Sequence, residues 1–367
     1  MHMNFKLPIY RPPDFSTDAL RDAPEARFEA APADFVAPDE YHATTIFPEY
    51  YNVKGHWILP KRSRMDCVAV LEGGKIYVRE FRHIKRGDKV AVGRTEDGSE
   101  GIYVHPNCFS ETESGEVRET FSFRQGRSRE TAFSIDYDFL YELLRHERDK
   151  GYIVWVMGPA CSFDADSRNA FMSLIEKGYV NALLGGNALA THDLEGAYKS
   201  TALGQDIYTQ APALNGHYNH IDTINRARLH GSIEKFIEAE GIDNGIVYTC
   251  VKRKVPLVLA GSIRDDGPLP GVYADAYEGQ DAMRAELAKA TTIIAMASTL
   301  HTIAAGNISP MYYVTDDDTV RPVYFYTVDI SEFSANKLAD RGSLSAKSII
   351  TNAQDFVVHL GKVLGER

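Results

Sequence analysis

Residues 151–187 read GYIVWVMGPACSFDADSRNAFMSLIEKGYVNALLGGN. YIVWVMG (152–158) is a short unbroken apolar run closed by glycine, the pattern of a strand buried on both faces. SRNAFMSLIEKG (167–178) starts at Ser167, a candidate N-cap, and stops at Gly178, so a helix is expected between them. VNALLGG (180–186) repeats the strand pattern. A strand, a helix and a second buried strand make a parallel unit whose two faces must be covered. Downstream, PLVLAG (256–261), TTIIAMA (291–297) and PVYFYTVDI (322–330) continue the strands, with helical segments such as DAMRAELAKA (281–290) between them. Upstream, IDYDFLYELLRHERDK (135–150) has helical periodicity. Residues 126–367 are therefore expected to form an α/β domain around one parallel sheet.

Residues 41–125 have a different texture. MDCVAVL (65–71), KIYVREF (75–81), DKVAVG (88–93) and GIYVHP (101–106) are short runs rich in Val, Ile and Tyr. Gly73-Gly74 suits a hairpin turn, and Lys85-Arg86-Gly87-Asp88 a second turn. A small β-rich domain, barrel or sandwich, is expected there. Residues 1–40, rich in Pro, Ala and acids, read as an arm outside any core. No repeat of fixed period occurs.

The chain has 367 residues, a net charge of −11, 44% hydrophobic and 25% charged residues. That is globular composition, and the acidic balance argues against nucleic acid as a partner. No run of 18 apolar residues exists and the first residues lack an apolar signal region, so no membrane span, no secretion and a cytoplasmic location are expected. Cys67, Cys108, Cys161 and Cys250 form no CxxC pair and read as reduced thiols.

In a doubly wound sheet, ligands bind beyond the carboxyl ends of the strands. After the strand at 152–158 come Gly158 to Asp164, either a ligand approach or a plain turn. After 180–186, Gly185-Gly186 permit close approach to the backbone. Asn187, His192, Asp193 and Glu195 follow. A histidine beside a carboxylate suits proton transfer, although a histidine satisfied by a carbonyl fits the same string. His217 and His220, spaced i, i+3, fit a contact to an anionic substrate better than a metal, because no HExxH or cysteine pair accompanies them. After 256–261, Arg264, Asp265 and Asp266 lie among Gly and Pro: Arg264 can clamp a carboxylate, and an aspartate can hold an ammonium or a ribose. Ser298-Thr299 open a helix, an ordinary cap and also an anion cradle. Ala304-Ala305-Gly306-Asn307 let another group come close. Asp329, at the end of the last strand, has the position of a ribose-binding acid. GxGxxG and Walker A are both absent.

Several strings together resemble the archaeal-type ornithine cyclodeaminase family, known also by the LOR/SDH conserved region, and the C-terminal half of cyanobacterial arginine dihydrolase/ornithine cyclodeaminases. They are MDC (65–67), RGDKVAVG (86–93), MGPA (157–160), GGNALATHDLE (185–195), LGQDI (203–207), GHYNHIDTIN (216–225), VPLVLAGSIRDDGPLP (255–270), HTIAAGN (301–307) and VDI (328–330). The resemblance implies a Rossmann-like NAD-binding domain behind a small β domain. It also implies conversion of L-ornithine to L-proline with loss of ammonia, NAD being used catalytically. Gly186, Asn187, Ser298, Thr299, Asn307 and Asp329 would then hold NAD. Arg264 would hold the substrate carboxylate, with Asp265, Asp266 or Asp164 near the amine. His192, with Asp193 close by, would move protons, with His217 as second candidate and Asp266 completing the catalytic set. The resemblance departs at Phe163-Asp164-Ala165, where the family carries a His-Thr-Gly run. A related amino-acid substrate and net-redox dehydrogenation or imine reduction therefore stand as alternatives; a non-catalytic NAD sensor is a separate rival, and a zinc hydrolase, resting on scattered His and Asp, a third. A homo-oligomer is expected.

Overall fold

The structure, a computed structural model, describes residues 5–110, 134–263, 265, 267–331 and 345–365. From residue 134 the elements run α1 (Ser134–Lys150), β1 (Ile153–Met157), α2 (Ala165–Glu176), β2 (Ala182–Gly186), α3 (Asn187–Lys199), α4 (Asn219–His230), α5 (Ile233–Ala239), α6 (Ile246–Arg253), β3 (Leu257–Ala260), α7 (Ala276–Leu287), β4 (Thr292–Met296), α8 (Thr299–Ile308), β5 (Tyr324–Asp329), β6 (Ala346–Ile350) and α9 (Ala353–Gly365). The six strands form one parallel sheet in the order β3-β2-β1-β4-β5-β6. The order reverses between β1 and β4, the switch point of a doubly wound sheet, where a crevice opens at the carboxyl edge.

Every residue of β1 is buried, and its side chains alternate between two cores. Ile153, Trp155 and Met157 face the core shared with α1, α2 and α9, whereas Val154 and Val156 face that of α7 and α8. Trp155 meets Phe171 edge-on, with ring centres 5.1 Å apart, and donates its indole N–H to Tyr179 O at 2.9 Å. β6 was not among the expected strands. It is an edge strand whose sequence, AKSII, needs no continuous apolar run. Helix α2 starts two residues before Ser167. Its cap is Asp164, whose carboxylate accepts from Ser167 N at 2.9 Å.

The β-rich part is a sandwich. One antiparallel sheet runs 27–30, 89–92, 68–72, 75–79, and the other 56–58, 49–53, 102–104. Ala26, Tyr51, Ala69, Ile76, Ala91 and Ile102 fill the space between them. Gly73 and Gly74, at φ +58° and +79°, make the two-residue turn joining two of these strands.

Two expectations fail here. Residues 27–30 of the supposed arm are an edge strand paired with 89–92, and Leu20, Ala26 and Ala31 are buried. Backbone hydrogen bonds hold such a strand, so composition hides it. Nor is the 41–125 unit closed on itself. Arg62–Ser63 pair with Tyr312–Val314, which in turn pair with Val320–Pro322. That hairpin is anchored to α1 by Arg321, whose Nη2 lies 2.5 Å from Glu147 Oε1, both residues buried. The expected boundary near 125 lies outside the described residues. Among the described residues no helix is long and apolar enough to cross a membrane.

Candidate active site

The carboxyl edge of the sheet carries most of the expected residues. Gly158 follows β1 and donates its N–H to Met296 O at 2.9 Å. A Cβ there would lie 1.7 Å from Ala297 O, so glycine is what lets the ends of β1 and β4 meet. Ala297 itself has φ +53°, a left-handed conformation uncommon for a residue with a Cβ. The next residue, Ser298, starts α8, whose first N–H groups have no partner within the helix. Thr299, Asp329, Ala160, Asn352 and Gln354 border a cleft of about 290 Å³. Asp329 Oδ1 accepts from Ser331 N at 2.9 Å. A helix N-terminus facing a strand-end carboxylate across a cleft suits a dinucleotide: the N–H groups suit phosphate, the carboxylate suits ribose hydroxyls. Asn307 does not belong here. It lies near the far end of α8, about 12 Å along the axis from Thr299 at 1.5 Å per residue.

On the other side of β1, Gly186 ends β2 and Asn187 starts α3. The Asn187 side-chain carbonyl accepts from Leu269 N at 3.0 Å and Thr191 Oγ1 at 3.2 Å, and so ties the loop after β3 to α3. In that loop Asp265 Oδ2 accepts from Ser262 N at 2.7 Å and holds its own turn. Arg264 and Asp266 lie outside the described residues.

His301, noted only in passing in the sequence, reaches over from α8. A Cβ on Gly186 would lie 3.0 Å from its Cε1, and its Nδ1 is 3.0 Å from Ser298 Oγ. Burial lowers its pKa, against the upward pull of the Ala260 carbonyl and the Asp265 carboxylate. His301 thus joins the ends of β2, β3 and β4. No spacing rule signals this, because the residues come together only when α8 crosses the sheet.

His192 has the arrangement of an oriented acid–base group, but its partner is not the expected one. Its Nδ1 is 2.9 Å from Glu195 Oε2. Glu195 is fully buried and its other oxygen accepts from Thr201 Oγ1 at 2.8 Å. Phe163 meets the His192 ring edge-on at 5.5 Å, and His220 lies 6.0 Å away. With Nδ1 held by Glu195, Nε2 is the ring nitrogen left for another partner.

Asp193 is elsewhere: buried, 3.0 Å from Arg168 Nε, and accepting from Ile246 N at 3.0 Å and Val247 N at 2.7 Å. It caps α6 and neutralises Arg168, and no acceptor capacity faces a cleft. Asp164 is likewise occupied, by Ser167 and by Gln354 Nε2 at 2.7 Å. The Asp164 carboxylate is thus engaged at the start of α2. His217 sits exposed on a 3-10 turn (Gly216–Tyr218) before α4, its ring against Tyr218 at 4.3 Å. His220 follows in the first turn of α4, where its ring lies near His192. Among the described residues no three His, Cys, Asp or Glu side chains are grouped to hold a metal.

Comparison with known proteins bears on this arrangement. The family model for the C-terminal Rossmann fold of ArgZ-like arginine dihydrolases matches residues 139–360. An ornithine cyclodeaminase of Archaeoglobus fulgidus is 36% identical over 341 residues, covering 92% of this chain and 78% of that protein. The bifunctional arginine dihydrolase/ornithine cyclodeaminase AgrE of Nostoc is 35% identical over 349 residues, 93% of this chain but 47% of that longer protein. Among solved structures, a conserved putative LOR/SDH protein from Methanococcus maripaludis superposes with a TM-score of 0.82 at 33% identity, over 93% of this chain and 98% of that one. A ternary complex of AgrE with ornithine and NAD+ gives a TM-score of 0.57 at 32% identity, over 93% of this chain and 46% of that one.

Proposed function

This chain belongs to the ornithine cyclodeaminase family, and on that premise we propose that it converts L-ornithine to L-proline with release of ammonia, using NAD without net consumption. The observation that carries the reading is similarity to ornithine cyclodeaminases along nearly the whole chain, joined to a doubly wound carboxyl edge of matching chemistry. The reaction is redox-neutral, because ornithine less ammonia has the composition of proline. When bound, NAD supplies an acceptor for a hydride that is later returned.

The chain's own residues bind, orient and move protons. The start of α8 at Ser298 and Thr299, with Asp329 across the cleft, is assigned to the dinucleotide, and Gly186 with Asn187 to its nearer end. Asn307, at the far end of α8, is left out of this set. Arg264 takes the substrate carboxylate and Asp265 or Asp266 its amine, by their place in the loop after β3. His192 exchanges a proton at Nε2, while Glu195 holds the ring in one tautomer.

The test is incubation of purified protein with NAD+ and L-ornithine, with proline, ammonia and absorbance at 340 nm followed together. Equal amounts of proline and ammonia with no lasting NADH are expected. NADH accumulating in proportion to ornithine consumed overturns the reading in favour of net dehydrogenation.

A further inference from the structure

A second cavity, of about 380 Å³, lies away from the carboxyl edge, between the β-rich part and the sheet's helices. Arg284 and Ala288 border it at the end of α7, and Ile308 at the last turn of α8. Helix α7 ends just before β4 begins, and α8 runs back from the carboxyl end of β4. The cavity is therefore at the amino end of β4, about 14 Å along α8 from Thr299.

Its lining carries four guanidiniums, Arg62, Arg64, Arg79 and Arg284, and one carboxylate, Glu80. Two of the four also pair with carboxylates outside the lining, Arg284 with Asp281 at 2.6 Å and Arg79 with Glu72. Glu80 is already engaged: Arg64 pairs with one oxygen, and Arg284 Nη2 lies 2.5 Å from the other. Arg79 turns to Asp88, 2.8 Å away. Arg62 has no carboxylate partner among the described residues, and its guanidinium lies 5.6 Å from the Tyr313 ring centre. Two buried polar atoms of lining residues, Ser63 Oγ and Arg64 Nε, have no hydrogen-bond partner among the described residues. Ser63 is only 2% exposed. Buried donors of this kind normally have acceptors. Guanidinium forks match the paired oxygens of carboxylates and phosphates. The remaining wall, with Val78, Ala288 and Ile308, is apolar. Volume, charge and mixed lining are those of a small-ligand site.

We propose that this cavity is a second ligand site, taking a small organic anion whose carboxylate or phosphate group is held by Arg62, Ser63 and Arg64 and whose short stem lies on the apolar wall. The site joins the strand at 62–63 to α7 and α8, so a ligand there bridges the β-rich part and the sheet domain. It is separate from the carboxyl-edge cleft and does not depend on which reaction occurs there.

The experiment is calorimetric titration of the NAD-saturated protein with inorganic phosphate and, separately, with glutarate. NAD saturation keeps phosphate out of the dinucleotide cleft. Saturable binding of at least one of them, one per chain, is expected. Arg62→Ala, at an exposed position that carries no fold contact to a carboxylate, is expected to weaken it about tenfold or more, with Ser63→Ala also weaker. Ornithine turnover and the Kd for NAD+ stay at wild-type values in Arg62→Ala. Phosphate alone binding identifies a phosphate ester, glutarate alone a dicarboxylate, and both a general anion site. No saturable binding up to ~10 mM of either, or equal binding in Arg62→Ala and wild type, overturns the proposal.

Discussion

At the scale of the residue, His192 and Asp193 are neighbours in sequence with opposite roles. Adjacent positions on a helix point about 100° apart. His192 faces Phe163 and His220, and Asp193 faces Arg168 and the start of α6. Their substitutions should separate cleanly. His192→Gln is expected to lower kcat by about 10²–10⁴ with an almost unchanged Tm. Glu195→Gln should lower kcat less, since the ring keeps its place but loses its charged partner. Asp193→Asn leaves the buried Arg168 without its counter-charge and should cost about 3–5 kcal/mol of stability, with kcat per folded molecule largely kept. Parallel melts and kinetics distinguish these outcomes, and a wild-type kcat in His192→Gln removes His192 from the chemistry.

His301 gives a pH signature at the same scale. Burial holds its folded pKa below the unfolded value of about 6.5, so folding favours the neutral ring. Its contribution is complete above that pH and is lost as the pH falls below it towards the folded pKa. His301→Gln is expected to flatten the acid side of a plot of urea midpoint against pH. An identical slope in the variant would show that His301 is not the group responsible.

At the scale of the element, the end of β1 is the sensitive point. The family pattern of dinucleotide sheets puts several glycines after the first strand; here one, Gly158, lets two strand ends close on each other. In Gly158→Ala the new methyl meets the backbone of Ala297, which cannot swing aside as a side chain can. The ends of β1 and β4 must part, moving the start of α8 with them. A lower Tm and weaker NAD+ binding, by about tenfold or more, are expected together. Weakened binding at an unchanged Tm would mean that the methyl blocks the cofactor directly and the strands stay closed.

At the scale of the whole molecule, residues 5–40 belong to the fold. Deleting residues 1–31 removes the edge strand paired with 89–92 and the buried Leu20, Ala26 and Ala31. A clearly lower Tm is expected, and wild-type melting would return these residues to the status of an arm. The four cysteines are all buried and unpaired. Burial pushes the thiols of Cys67 and Cys108 up to about 11, and those of Cys161 and Cys250 higher still. None should react with a thiol reagent in the native protein at neutral pH, and all four should react after denaturation.

The amino-acid sequence by itself determined the sheet. Five of its six strands are continuous apolar runs, because a strand buried on both faces has no room for polar side chains, and periodicity exposes that directly. It determined the glycine hairpin at 73–74 as well, since only a turn of left-handed residues joins strands in two residues. It pointed to the loops at the carboxyl edge as the candidate site, because a doubly wound sheet binds ligands there. Only the tertiary structure decided which side chains face that edge. Glu195, not Asp193, supports His192 because helix phase and the approach of Thr201 select it. Asp164 was absorbed as a cap, and His301 was brought to Gly186 by a helix from across the sheet. The edge strands at 27–30 and 346–350 also waited for the fold, because backbone hydrogen bonds to a neighbour define them and their side chains carry little signal.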